Sequence, residues 1–344
     1  MGNSQIKKFE YFYDLPEELI AKRPASPRDA ARLFVYDTAK DLVIFDHFFN
    51  LDKYLPTNSL LVLNDTKVIP ARVVLTKETG GKIEVLFLVN EWRGKEAIPA
   101  LVNKKVSVGA KLFLGSSRSF NVVRQEENVF YLQPNFPARE VLAILKKKGA
   151  TPIPKYIKNS GLSERQLREK YQSVFSKKPA SVAAPTASLH FTPRLLNKLE
   201  KEGIKKTFVT LDVGLGTFAP ISQKNLSTGK LHTEFFSIPR ATASLIRKYK
   251  GKHQSIVAVG TTVARALESD ASKASTQIFI RPPYDFKVVD VLITNFHLSG
   301  TSLMMLMQAF LSNKKSKKSL LDLYHLAIKE KFRFYSFGDA MLLK

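Results

Sequence analysis

Apolar residues in the first sixty positions come in short blocks separated by polar turn residues. Leu15 to Lys22 fits a short helix. Two apolar runs, Arg32–Asp37 and Leu42–Phe49, flank Thr38-Ala39-Lys40-Asp41, which is the pattern of a hairpin. Ser59–Leu63 reads as a further buried strand, ending at Asn64-Asp65-Thr66.

From about Val68 to Leu132 the texture changes. VIPARVVLTKET, KIEVLFLVN, AIPALV, KLFLG, FNVVRQ and VFYLQ are short strand-like runs. Gly80-Gly81, Gly109, Gly115 and Glu127-Asn128 supply turn chemistry between them at hairpin spacing. No segment of helical period interrupts, so this stretch predicts a separate small antiparallel barrel or sandwich.

Beyond Lys148-Gly149 helices and strands alternate, the pattern of an α/β layer. Ser163 to Gln166 is a capping box opening a helix to about Phe175. Thr192-Pro193 begins another helix that Gly203 ends. Strands are expected at Thr207–Val213, Glu234–Ile238, Ser255–Val259, Gln277–Ile280 and Val288–Thr294. Helices are expected at Ala241–Tyr249, Thr262–Ser269, Ser302–Leu311 and Leu320–Lys331.

Composition narrows the function classes. The 344 residues suffice for two cores, and 54 Lys and Arg against 30 Asp and Glu leave a formal charge of +24. Such an excess favours polyanions, with nucleic acid first and an anionic membrane second. There is no cysteine, which excludes disulfides and thiolate metal sites. The six histidines lack metal-ligand spacing, so no metal is expected. Neither a signal peptide nor a membrane-spanning run is visible, and the expectation is a soluble, cytoplasmic monomer.

Candidate chemistry gathers where strands run into loops and helices. In IVAVGTTVARALES, Gly260 permits close backbone approach and Thr261-Thr262 cap the next helix. Arg265, one turn on, can pair with a carboxylate or phosphate. VDVLITNFHLSGTSLMML carries Asn295, His297, Thr301 and Ser302 in the same setting. VTLDVGLGTFAP ends its strand in Gly214, Gly216, Thr217 and Phe218. SVAAPTASLHFTPRLL adds Thr186, Ser188 and His190, whose imidazole titrates near neutrality. Ligands of open α/β sheets collect beyond the carboxyl ends of strands, so these loops are expected to share one pocket. Taken singly, each junction is better read as turn and cap chemistry than as a site. Gly214 to Ala219 also fits the loose dinucleotide-binding pattern. No convincing amphipathic helix follows it, which disfavours a Rossmann oxidoreductase or methyltransferase.

These residues sit in a longer series of motifs. FYDLPEELIAKRP, LLVLNDTKVIPAR, TGGKIEVL, PIPKYI, YQSVF, AAPTASLHFT, VGLGTF, HTEFFSIP, AVGTTVARALES, IFIRPPYDFK, LITNFHLSGTSLMML and FRFYSFGDAML follow in order over nearly the whole chain. In this the chain resembles the S-adenosylmethionine:tRNA ribosyltransferase-isomerase family. The resemblance implies a large mixed α/β domain from residues 1–66 and 151–344, with a small antiparallel β-barrel domain inserted at 67–150. It also implies the reaction. The ribosyl part of S-adenosylmethionine moves to 7-aminomethyl-7-deazaguanine at the tRNA wobble position, leaving adenine, methionine and epoxyqueuosine-tRNA. S-adenosylmethionine is then a consumed substrate, and no recycled cofactor is expected.

That chemistry needs a base for the acidified 5′-carbon, help for departing adenine, and a positioned amine. The roles are expected to fall to His190 or His297 as base or acid, Glu268 on ribose or amine, and Arg265 with Thr261-Thr262 on the methionine carboxylate. Thr186, Asp212, Gly214, Gly216, Thr217, Phe218, Gly260 and Asn295 complete the expected substrate site. Lys146, Lys147, Lys148, Lys155, Lys158, Arg165 and Arg168 are candidates for tRNA phosphates. Departures from the family pattern are Asp212 where His is usual, Ser188 for Gly, Ala31 for Ser, and Ser299-Gly300-Thr301-Ser302-Leu303 for Pro-x-Ser-Thr-Leu. An ionised Asp212 accepts hydrogen bonds but cannot donate them. A non-catalytic tRNA-binding relative that has lost turnover is the alternative.

Overall fold

The computed structural model describes residues 11–94, 96–214 and 221–344. Strands follow in the order β1 (Arg32–Asp37), β2 (Leu42–His47), β3 (Leu60–Asn64), β4 (Thr66–Val68), β5 (Arg72–Lys77), β6 (Lys82–Phe87), β7 (Ile98–Val102), β8 (Lys111–Leu114), β9 (Arg118–Glu126) and β10 (Val129–Pro134). Then come β11 (Lys178–Ser181), β12 (Lys205–Leu211), β13 (Lys230–Ser237), β14 (Ile256–Val259), β15 (Ser275–Ile278), β16 (Val291–Asn295) and β17 (Ala340–Leu343). The helices are α1 (Val141–Lys148), α2 (Glu164–Lys170), α3 (Pro193–Lys201), α4 (Gln223–Thr228), α5 (Arg240–Gly251), α6 (Thr261–Glu268), α7 (Ser302–Asn313) and α8 (Leu320–Lys329).

Among the described residues, nine strands form one sheet in the order β15-β13-β12-β3-β14-β16-β17-β1-β2. Its centre, β12-β3-β14-β16, is parallel. Every residue of β3, β14 and β16 is buried, which is why these segments read as unbroken apolar runs. Leu60, Val62, Ile256 and Ala258 pack with α6, α7 and α8 on one face. Leu61, Leu63, Val257 and Val259 pack with α3 on the other. This period-2 division of one strand between two cores needs apolar residues at every position.

The second unit is a closed antiparallel barrel, β10-β7-β6-β5-β8-β9, filled by side chains including Phe87 and Phe120. The chain leaves the large sheet through β4 and returns through β11. These two pair as a short parallel ribbon, with a 2.6 Å hydrogen bond between the Thr66 and Ser181 hydroxyls. Fold class is therefore mixed α/β with a β-barrel, as expected.

Several local expectations are corrected. Leu15–Lys22 is only a single 3-10 turn, Glu17–Leu19, because Ile20 forms a bridge with Phe334 and the Ala21 N–H donates to the Phe334 carbonyl. The capping-box helix stops at Lys170, short of Phe175. Gly260, not a threonine side chain, caps α6. The region after the glycine pair does hold a helix, α4, capped by Ser222. It is six residues long, packs on the main core only through the partly buried Leu226, and leads into β13, which pairs antiparallel with β12 and so does not form the parallel unit of the dinucleotide pattern.

Candidate active site

The parallel centre aligns four carboxyl ends, and three of the expected junctions meet there. β12 runs into Val213 and Gly214, β14 into Gly260, and β16 into Phe296 and His297. The loop Thr186–His190 closes over them as a 3-10 turn. The result is two adjoining narrow cavities of about 30 and 10 Å3. Thr186, His297 and Leu303 line both. Val213, Gly260, Thr261, Thr262 and Thr294 belong to the first, Asn295, Thr301, Tyr156, Tyr335 and Ser336 to the second.

Gly260 is required by geometry. Its φ of +95° is strained for an L-residue, and a Cβ would press on Thr262 Oγ1 at 3.4 Å. That sharp exit lets α6 begin directly against the cavity, with Thr261 and Thr262 in its first turn and their side chains buried. Thr262 Oγ1 has no hydrogen-bond partner among the described residues.

His297 is held on every side. Its Nε2 lies 2.8 Å from Thr294 Oγ1, its N–H donates to the Tyr324 hydroxyl at 2.9 Å, and its carbonyl accepts from Tyr13. Burial, reinforced by Arg265, pulls the imidazole down to about 3, so it is neutral at physiological pH. The Ser299–Thr301 loop is bound by the N-terminal segment. The Gly300 N–H donates to the Tyr11 carbonyl at 2.8 Å, and the Tyr13 N–H to Ser299 Oγ at 3.1 Å.

Arg265 departs from expectation. Its guanidinium is buried and grips Glu234 of β13 with both terminal nitrogens, one at 3.1 Å. Burial pushes the Glu234 carboxyl up, but Arg265 and His232 pull it further down, below the usual glutamate value. Arg265 is thus committed to a carboxylate of this chain, leaving only Nε without a partner.

The other expected site residues divide. His190 does not line the cavities. It is buried behind them against Phe48, with ring centroids 5.1 Å apart, and this corrects the expectation of direct contact. Burial brings it down to about 4, although Asp339 and Asn295 pull upward. Among the described residues, Asn295 is the side chain placed to hydrogen-bond the His190 ring. Glu268 is also corrected. Its carboxylate accepts the N–H groups of Lys287, Val288 and Val289, each at 2.9 Å, and anchors the chain entering β16. Asp212 is raised to about 6 by burial, against the pull of Arg93. It lies one residue from the cavity-lining Val213 and accepts from Arg93 Nη2 at 3.1 Å. Gly214 is at the end of the same segment, while Gly216, Thr217 and Phe218 lie outside the described residues.

Of the cationic candidates, Lys146, Lys147, Lys148, Lys155, Lys158 and Arg165 are exposed. Arg168 is not available in the same way. Its guanidinium binds Glu164 at 2.8 Å, the Lys146 carbonyl at 2.7 Å and the Gly149 carbonyl, tying α2 to the end of α1. Tyr156, Tyr335 and Ser336 were invisible as site residues. Only the long-range placement of the 334–338 turn beside β16 reveals them, with Tyr335 at φ +71° and its N–H on the Phe296 carbonyl.

A protein family described as "Queuosine biosynthesis protein" matches residues 8–343. The S-adenosylmethionine:tRNA ribosyltransferase-isomerase of Fusobacterium nucleatum is 40% identical over 355 residues, covering 97% of this chain and 96% of that protein. The Thermotoga maritima protein of the same name is 40% identical over 345 residues, covering 98% and 100%. A crystal structure of S-adenosylmethionine tRNA ribosyltransferase from Thermotoga maritima at 2.00 Å resolution is similar with a TM-score of 0.54 and 32% identity. It covers 97% of this chain and 100% of that one. With a match running from end to end and both structural units in place, the chain belongs to the queuosine biosynthesis protein family.

Proposed function

We propose that this chain is an active S-adenosylmethionine:tRNA ribosyltransferase-isomerase. It would move ribosyl from S-adenosylmethionine to the 7-aminomethyl-7-deazaguanine of tRNA, with loss of adenine and methionine and formation of an epoxycyclopentanediol. The observation that carries this reading is the meeting of the Thr186, Gly260 and His297 loops in one cleft at the carboxyl ends of parallel strands. A family fold alone would leave turnover open.

In this reading S-adenosylmethionine is consumed and no other cofactor takes part. Among the described residues lining the cleft, His297 is the one histidine or carboxylate. It takes the proton-handling role beside the sulfonium, arriving neutral because burial disfavours its charged form. The Thr262 hydroxyl and the first turn of α6 receive the methionine carboxylate, where helix N–H groups favour negative charge. Arg265, held by Glu234, lies behind and helps to keep His297 neutral. The exposed lysines of α1 and the following segment receive tRNA phosphates. Pockets for ligands of this size measure about 300–1,000 Å3, so the loops around the described cleft must part on binding.

Adenine release tests this directly. Purified protein, S-adenosylmethionine and tRNA bearing the modified base are expected to yield adenine and methionine in equal amounts. Tight tRNA binding with no adenine released would instead establish the non-catalytic alternative.

A further inference from the structure

The barrel reaches the large sheet through the loop between β6 and β7, and three neighbouring side chains of that loop meet the sheet together. Arg93 places its guanidinium 3.5 Å over the Phe235 ring and 3.1 Å from Asp212 Oδ2. Asp212 and Phe235 face each other across β12 and β13, with the Asp212 N–H donating to the Phe235 carbonyl at 2.9 Å. Asn90 lies against Gly214 so closely that a Cβ there would come within 2.6 Å of Nδ2. Glu91 is close enough to His232 for their charges to interact, and His232 Nε2 is 3.5 Å from Glu234.

We infer that Arg93 is a positioning residue for the proposed reaction, a latch by which the barrel fixes Asp212 and the outgoing end of β12 next to the cleft. The inference rests on that functional reading for its catalytic consequence. Four observations support a built contact. Arg93 satisfies its cation with a carboxylate and an aromatic face simultaneously. Asp212 is mostly buried, with 14% of its side chain exposed, so leaving it unpaired is costly. Gly214 lets the Asn90 amide pack directly on its backbone, where a Cβ would have to push that amide aside. Val213, between Asp212 and Gly214, lines the cleft, so a shift of the latch is felt there.

The latch also titrates. The groups facing Asp212 are Arg93 from the barrel loop, Glu234 from β13 and Lys178 from β11. Burial and Glu234 raise the carboxyl, while Arg93 and Lys178 lower it, with a balance near 6. Above that pH the ion pair is complete. As pH falls through it, Asp212 takes a proton and the pair is lost. Removing Arg93 moves this transition upward, so at pH 7 more of the carboxyl is protonated.

The test uses full-length Arg93→Met, Asp212→Asn and the double variant, after wild-type adenine release has been measured. Arg93→Met is expected to lose about tenfold in kcat/KM, to shift the acidic limb of the pH profile upward, and to raise the Asp212 titration followed by carbon NMR. Asp212→Asn is expected to lose a similar factor and to abolish that limb. The double variant should be no worse than the poorer single, because both break one contact. Arg93→Lys, which keeps charge but not the planar stack, should recover part of the loss. An unchanged Asp212 titration in Arg93→Met, or single losses that multiply in the double variant, would overturn the latch. Inactive wild-type protein would instead overturn the functional reading, and the titration would still decide whether the pair forms.

Discussion

The two ends of the parallel strands make opposite kinds of site. At the amino ends of β14 and β16 lies a cavity of about 440 Å3, lined by Lys250, His253, Asp290, Lys314 and Lys344. At the carboxyl ends the described cavities are roughly a tenth of that size or less. Two of the lysines in the large cavity are paired, Lys250 with Asp290 at 3.2 Å and Lys344 with Asp37 at 3.4 Å, while burial pulls the third, Lys314, below the usual lysine value. The narrow cleft instead holds the buried Thr262 hydroxyl, which has no hydrogen-bond partner among the described residues. Volume records where side chains fail to meet. The cleft is set apart by position: it lies at the carboxyl ends of the parallel strands and against the first turn of α6.

The largest test of this contrast is His297→Gln, which keeps a polar side chain but removes the imidazole. It is expected to lower kcat by about 10²–10⁴-fold, read as single-turnover adenine release. Thr262→Val comes next. Removing one hydroxyl that meets the ligand should cost about tenfold in kcat/KM, with thermal stability held or raised because an unmatched buried group has gone. A smaller and different effect is expected from acid. His190 and His297 sit at about 4 and 3 in the folded chain against an ordinary 6.5, so the unfolded chain binds more protons between these values. Their contribution to stability is complete above 6.5 and is lost as pH falls toward 4 and below. Asp212, raised to about 6, works in the opposite direction as pH rises. Melting temperatures from pH 7.5 to 4 should therefore fall, and His297→Gln should flatten the curve. The smallest effect belongs to the opposite pole. Lys314→Ala should leave kcat within about twofold, since its ammonium touches nothing in the proposed chemistry. A large loss there would break the contrast.

Much of the fold was legible because its signals are local. The hairpin around Asp41, the buried runs of β3 and β14, and the alternating strands of the barrel all carry their own periodicity. What was missed depends on distant partners. β17 is four residues after a turn, and becomes a strand because it pairs with both β1 and β16. The expected strand from Val288 begins only at Val291, because Glu268 captures the N–H groups of Val288 and Val289. α1 has no side-chain cap to announce it. The same rule divides the site. Gly260, Thr262 and His297 were legible as strand-to-helix junctions, where loop chemistry and position coincide. Glu268, expected as catalytic, and Arg265, expected on the methionine carboxylate, are committed to this chain's own backbone amides and to Glu234. Arg93 carried no local signal at all, since its partners Asp212 and Phe235 are more than a hundred positions away.

The most direct measurement is a crystal structure of the protein with S-adenosylmethionine bound. The sulfonium nucleoside is expected between the Thr186, Thr262 and His297 side chains, with the methionine carboxylate at the start of α6. Density for it in the lysine-lined cavity at the other end of the sheet, with those three side chains untouched, would contradict the assignment.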